Sequence, residues 1–256
     1  MTAENRMREI ILAKLQEIEE KENVRVLYAV ESGSRAWGFA SPDSDYDVRF
    51  VYVRPLDHYL RLGKTRDVIE WQLDDTLDIN GWDLQKALRL LHSSNPTIFE
   101  WWLSPIVYRT SADWESVAEI IGKYYEKRPS LHHYLCMAKR NYREFLTGEQ
   151  VKLKKYFYVL RPILACRWIL SEGTPPPMLF DDLAARCLSP EIAPFVGDLL
   201  AKKRETPEIG LGPRVDALND YLLAEIERTE STIATLPLDH TADWETLDRI
   251  FTNIVK

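Results

Sequence analysis

Between Glu31 and Val53 the chain reads ESGSRAWGFASPDSDYDVRFVYV, and its last eight residues, Tyr46 to Val53, form the strongest strand signal in the sequence. β-Branched and aromatic residues dominate that run, and Pro55 marks its end. Strand side chains point alternately to opposite faces, so Asp45, Asp47 and Arg49 share one face while Tyr46, Val48, Phe50 and Tyr52 share the other. One face belongs to a core and the other to a site. Upstream, VRVLYAVES (Val24 to Ser32) reads as a second strand running into the turn at Gly33.

The parts of this stretch suit one task. A glycine at 33 lets backbone N–H groups approach an anion closely, Ser34 adds a hydroxyl, and a helix starting there would add its positive end. Asp45 and Asp47 offer hard oxygen ligands to a divalent cation that also grips phosphate oxygens, which points to magnesium. No His or Cys spacing suggests zinc. An isolated Asp-x-Asp pair is common in turns, so the glycine turn before it and the strand after it give it weight.

Around this centre, apolar residues at helical spacing predict a first helix over roughly Glu4 to Lys21. Asp67 to Leu73 and Thr76 to Asn80 are two further strands with Asp74-Asp75 as the hairpin turn, and Asp83 to Leu91 returns to helical periodicity. Beyond about Tyr108 strand signals fade. Helix starts follow at Ser111 and at Ser189-Pro190, and Gly173 to Pro177 reads as a stiff connector. The expectation is an α+β fold: a domain over residues 1–110 built on a β-sheet with helices, then a mainly α-helical domain over 111–256 that covers the cleft.

The 256 residues carry a formal charge of −7, which argues against broad coating of duplex nucleic acid. No apolar run reaches the ~20 residues that span a bilayer, and the acidic, helical N-terminal segment is unlike a secretory or transit peptide. Cys136, Cys166 and Cys187 lack metal spacing and suit reduced thiols. A cytoplasmic protein without membrane partners is the expectation.

Gly33-Ser34-Arg35 followed by Asp45-x-Asp47 and apolar residues resembles the DNA polymerase β-type nucleotidyltransferase superfamily. The wider pattern of Trp37-Gly38, Ser44 to Arg49, Lys154-Lys155-Tyr156 and Leu160-Arg161-Pro162 resembles a branch of it linked to RNA-repair gene clusters. The resemblance implies a nucleotidyltransferase fold, a mixed β-sheet flanked by helices. It further implies two Mg2+ ions, replaceable by Mn2+, held by three carboxylates, and transfer of a nucleoside monophosphate from a triphosphate such as ATP with release of pyrophosphate.

The position of the third carboxylate in that superfamily, on a strand shortly before a helix, matches Asp78 best. Glu70, Asp75 and Asp83 are the rivals, although turn and helix-start aspartates have structural explanations of their own. Asp45, Asp47 and Asp78 are thus the expected catalytic and metal-holding residues. Gly33, Ser34, Arg35, Lys155 and Arg161 are the expected nucleotide contacts. Arg49 is expected to neutralise the aspartates when no metal is bound. Tyr156, Phe157, Tyr158 and Trp168 read as core, and His132-His133 as structural or surface residues. The branch favours an RNA end as acceptor. Transfer to a protein or small molecule, or a non-catalytic nucleotide-binding regulator or antitoxin, are the competing readings.

Overall fold

The computed structural model describes residues 3–41, 44–74, 76–205, 210–237 and 243–256. The N-terminal part runs α1 (Ala3–Glu22), β1 (Arg25–Glu31), α2 (Gly33–Ala36), β2 (Tyr46–Val53), α3 (Leu56–Tyr59), β3 (Val68–Asp74), β4 (Leu77–Asp83), α4 (Leu84–His92), α5 (Pro96–Trp102) and β5 (Val107–Arg109). The remainder is α6 (Ala112–Ile121), α7 (Lys127–Phe145), β6 (Gln150–Lys152), α8 (Lys155–Glu172), α9 (Phe180–Cys187), α10 (Ala193–Glu205), β7 (Leu211–Pro213), α11 (Asp216–Thr235) and α12 (Trp244–Val255).

Five strands form one sheet in the order β3-β4-β2-β1-β5. It is mixed: β2 and β4 run parallel, while β1 pairs antiparallel with β2 and β5, and β3 with β4. The parallel register sets Asp47 directly beside Asp78. The hairpin expected from the sequence is present between β3 and β4; Asp75 lies outside the described residues.

The period-2 pattern of β2 sorts as expected. Val48, Phe50 and Tyr52 pack with Ile79 of β4 under α1, whose Ile11, Leu15 and Ile18 recur every three or four residues and are fully buried. On the opposite face Val51 and Val53 join Leu27 and Val30 beneath α4, α5, α6 and α12. That core draws Trp114, Val117, Leu247, Ile250 and Ile254 from beyond residue 110.

The other core is helical. α8 is buried on nearly all sides, as a helix with apolar residues around its whole circumference must be, and packs against α7, α9 and α11. Ser111 caps α6 by accepting from the Trp114 N–H, and Asp83 caps α4 by accepting from that of Gln85. Gly173 ends α8 in the left-handed region at φ 74°. Two expectations change. β6 and β7 form a two-stranded sheet in the second half, too short to leave a periodic signal. The helix expected at Ser189-Pro190 begins at Ala193, after a turn closed by the Ser189 carbonyl. No described helix is long and apolar enough to cross a membrane.

Candidate active site

The β1–β2 connection places the first functional group. Gly33 sits at φ 59°, a left-handed conformation in which a Cβ is strained. A Cβ there would also fall 2.0 Å from Asp47 Oδ2. The glycine therefore lets the turn close directly onto the aspartate, and the Ser32 N–H donates to the Asp47 carbonyl at 2.8 Å to lock the two segments together. α2 is a single four-residue turn, too short for the helix-dipole contribution expected from the sequence. Its opening N–H groups still lack intrahelical acceptors, and the Ser34 hydroxyl has no hydrogen-bond partner among the described residues.

Asp47 and Asp78 converge. One nitrogen of Arg49, Nη2, donates to Asp47 Oδ1 and to Asp78 Oδ2, each at 2.9 Å. Burial raises the Asp47 carboxyl pKa; Arg49 opposes that shift, and the charges of Asp78 and Asp45 add to it. Asp45 is exposed, just ahead of β2. Its carbonyl accepts from Arg35 Nε at 3.1 Å, and Arg35 Nη2 reaches the Ser44 carbonyl at 2.6 Å.

The rivals for the third carboxylate are placed differently. Glu70 pairs in register with Asn80 rather than Asp78, so it faces the same side but lies further along the strands. It is exposed and pairs with Arg66 at 3.3 Å. Asp83 lies on the opposite face of β4, buried, where it caps α4 and accepts from the Tyr59 hydroxyl.

Beneath Asp47 lies a carboxylate to which the sequence had assigned no role. Glu31 is fully buried; its Oε1 accepts from the Asp47 N–H at 2.8 Å, and its Oε2 accepts a short hydrogen bond from the Tyr108 hydroxyl. Burial pushes its pKa up to about 7, against the lowering effect of those two hydrogen bonds. The only sequence signal was a charged residue ending an otherwise apolar strand.

Helix α8 overhangs this centre. Tyr158 stacks edge-on against Trp37, 5.8 Å between centroids. Burial raises its phenol pKa, and the carboxylates of Asp47 and Asp45 raise it further. Lys155 Nζ lies 4.6 Å from the Tyr158 ring centroid and 4.1 Å from that of Phe145. Arg161, expected as a nucleotide contact, is 1% exposed instead. Its Nη1 donates to Glu100 at 2.7 Å, the same carboxylate oxygen that accepts from Tyr134, and its guanidinium lies over Trp37. A charge in an interior helix requires such a partner. Arg161 thus braces the Gly33 turn from behind.

This donor set is all hard oxygen, with mutual repulsion that a cation would relieve, and so it fits magnesium. Among the described residues no three His, Cys, Asp or Glu side chains are grouped closely enough to cage an ion. An ion shared by these aspartates would complete its shell from phosphate oxygens and water, as magnesium does.

A family model described as the RNA repair pathway DNA polymerase beta family matches residues 7–253. A Bacillus subtilis (strain 168) protein named "Uncharacterized protein YcgL" is 43% identical over 254 residues, which are 98% of this chain and 97% of that protein. The crystal structure of a nucleotidyltransferase-like protein from Exiguobacterium sibiricum 255-15 aligns over 97% of this chain and 88% of its own, with 13% identity and a TM-score of 0.35.

Proposed function

The chain belongs to the RNA repair pathway DNA polymerase beta family, and on that premise we propose that it is a magnesium-dependent nucleotidyltransferase acting on an RNA end. The convergence of Asp47 and Asp78 on one Arg49 nitrogen, beside the Gly33 turn, carries this reading. Asp45, Asp47 and Asp78 would hold two Mg2+ ions, or Mn2+ in their place, which when bound polarise the acceptor hydroxyl and neutralise charge on the triphosphate.

The remaining roles belong to the protein. The free N–H groups of the Gly33 turn and the Ser34 hydroxyl bind triphosphate oxygens. Arg49 neutralises the aspartates while no cation is bound and moves aside when one is. Lys155, held against two rings, and Tyr158 close the cleft from the helical side and exclude water from the reacting phosphate. The acceptor oxygen forms a new bond to the α-phosphorus, the α–β phosphoanhydride bond breaks, pyrophosphate leaves, and the hydroxyl proton passes to solvent.

The test is incubation with Mg2+, each α-labelled nucleoside triphosphate, and separate RNA, protein and small-molecule acceptor pools, alongside Asp47→Ala. Label on RNA that disappears with the substitution supports the proposal. Label confined to protein or a small molecule overturns the acceptor, and label that survives in Asp47→Ala overturns the metal role.

A further inference from the structure

A cavity lies where the first turns of α1 meet β5 and the loop after Gly33, on the face of β2 that carries Tyr46 and not Asp47. It measures about 490 Å³, and Asn5, Arg8, Arg35, Tyr46 and Tyr108 line it together with Glu4. That is enough space for a mononucleotide, since small-molecule sites span roughly 300–1,000 Å³. Its walls are built from two guanidinium–ring pairs. Arg35 lies 3.7 Å from the centroid of Tyr46, and Arg8 lies 5.5 Å from that of Tyr108. Two guanidinium groups and one carboxylate line the cavity, in a chain whose net charge is −7.

Both cations are held in place from behind. Arg8 Nη2 donates to the Val107 carbonyl at 2.8 Å, and Arg35 uses Nε and Nη2 on the Asp45 and Ser44 carbonyls. Neither Arg8 nor Arg35 is in an ion pair among the described residues. Planar cations lying against tyrosine rings around one cavity match a phosphate ester attached to a flat base. Guanidinium donors pair with the phosphate oxygens, and bases stack on aromatic or guanidinium planes.

We propose that this cavity is a second binding site for a nucleoside monophosphate unit, separate from the Asp47 centre, with Arg8 and Arg35 on the phosphate and Tyr46 and Tyr108 beside the base. The unit is either a free nucleotide or the terminal nucleotide of an RNA strand. Occupancy would reach the catalytic loop through Arg35, whose guanidinium holds the backbone of Ser44 and Asp45. Binding itself needs neither metal nor turnover, so it stands or falls apart from the nucleotidyltransferase reading.

The experiment is calorimetric titration of the full-length protein, in chelator, with AMP, a short 5′-phosphorylated single-stranded RNA, and inorganic phosphate. Wild type is compared with Arg8→Ala, Arg8→Lys and Asp47→Asn. Wild type and Asp47→Asn should bind alike, Arg8→Ala should lose at least tenfold in affinity, and Arg8→Lys should fall between, keeping charge without the planar fork. AMP binding assigns the site to a free nucleotide, and binding of the RNA alone assigns it to a strand end. Affinity unchanged in Arg8→Ala, with melting temperature unchanged, overturns the site. Phosphate binding as tightly as AMP and RNA overturns recognition of the base.

Discussion

Replacing Gly33 with alanine perturbs the candidate site at one atom. A Cβ at 33 would lie 2.0 Å from Asp47 Oδ2 and 2.9 Å from its Cγ, whereas real Cβ contacts below 3.0 Å are essentially absent. The Asp47 carboxylate must therefore retreat by about 1 Å, and a misplacement of that size in a catalytic group costs on the order of 10²-fold in rate. The backbone adds its own penalty, because φ 59° costs an L-residue about 1–2 kcal/mol. Gly33→Ala should thus fall about a hundredfold in nucleotidyl transfer while its urea stability drops by a few kcal/mol. Part of that loss is the clash itself, so the double variant Gly33→Ala/Asp47→Ala should recover it, leaving only the backbone term. A double-mutant cycle would then show a coupling of about 1 kcal/mol or more. Additive stabilities, or a Gly33→Ala protein of full activity, would refute the close packing of turn and aspartate.

Three further outcomes follow from the same contacts. Glu31 has its folded pKa raised from 4.5 to about 7, so its contribution to stability is present below pH 4.5 and is lost as pH rises through 7. In chelator, wild type should lose about 3 kcal/mol over that window relative to Glu31→Gln, read from urea midpoints; parallel pH profiles would contradict this. Arg161→Met leaves the half-buried Glu100 without its cation and should cost about 3 kcal/mol, whereas adding Glu100→Gln should restore part of it; equal denaturation curves for wild type and Arg161→Met would count against the brace. Arg49→Met removes the shared donor of Asp47 and Asp78, so its melting temperature should fall in chelator and rise with Mg2+ more steeply than that of wild type; an identical Mg2+ response would show that the guanidinium does not stand in for a cation.

Local patterning explains how far the sequence could be read. The alternation in β2 placed Asp47 and Arg49 on one face, whereas Asp78 came from the resemblance, which puts a carboxylate on a strand shortly before a helix, and the hairpin register only kept Glu70 as its rival. The pairing of Asp78 with Asp47 required the parallel β2–β4 contact, which no local signal encodes. Glu31 and Tyr108 are 77 positions apart, and their bond exists only because β5 docks beside β1. Arg161 was misleading for a physical reason: in the run KYFYVLRPILACRWIL an arginine resembles a surface contact until α8 is known to be central. An arginine in a helix that is apolar all round is better read as half of a buried pair. Arg35, expected on the nucleotide, lies over Tyr46 and lines the cavity beside α1, while its charge still acts on Asp47 and Glu31.

On the proposed reading, Asp45, Asp47 and Asp78, and not Glu70, hold the cations. Manganese binding followed by electron paramagnetic resonance, in the presence of a non-hydrolysable ATP analogue, tests it with wild type, Asp78→Asn and Glu70→Gln. Two bound ions in wild type and in Glu70→Gln, with at least a tenfold weaker site in Asp78→Asn, is the predicted result. Unchanged binding in Asp78→Asn, or loss in Glu70→Gln, would contradict the account.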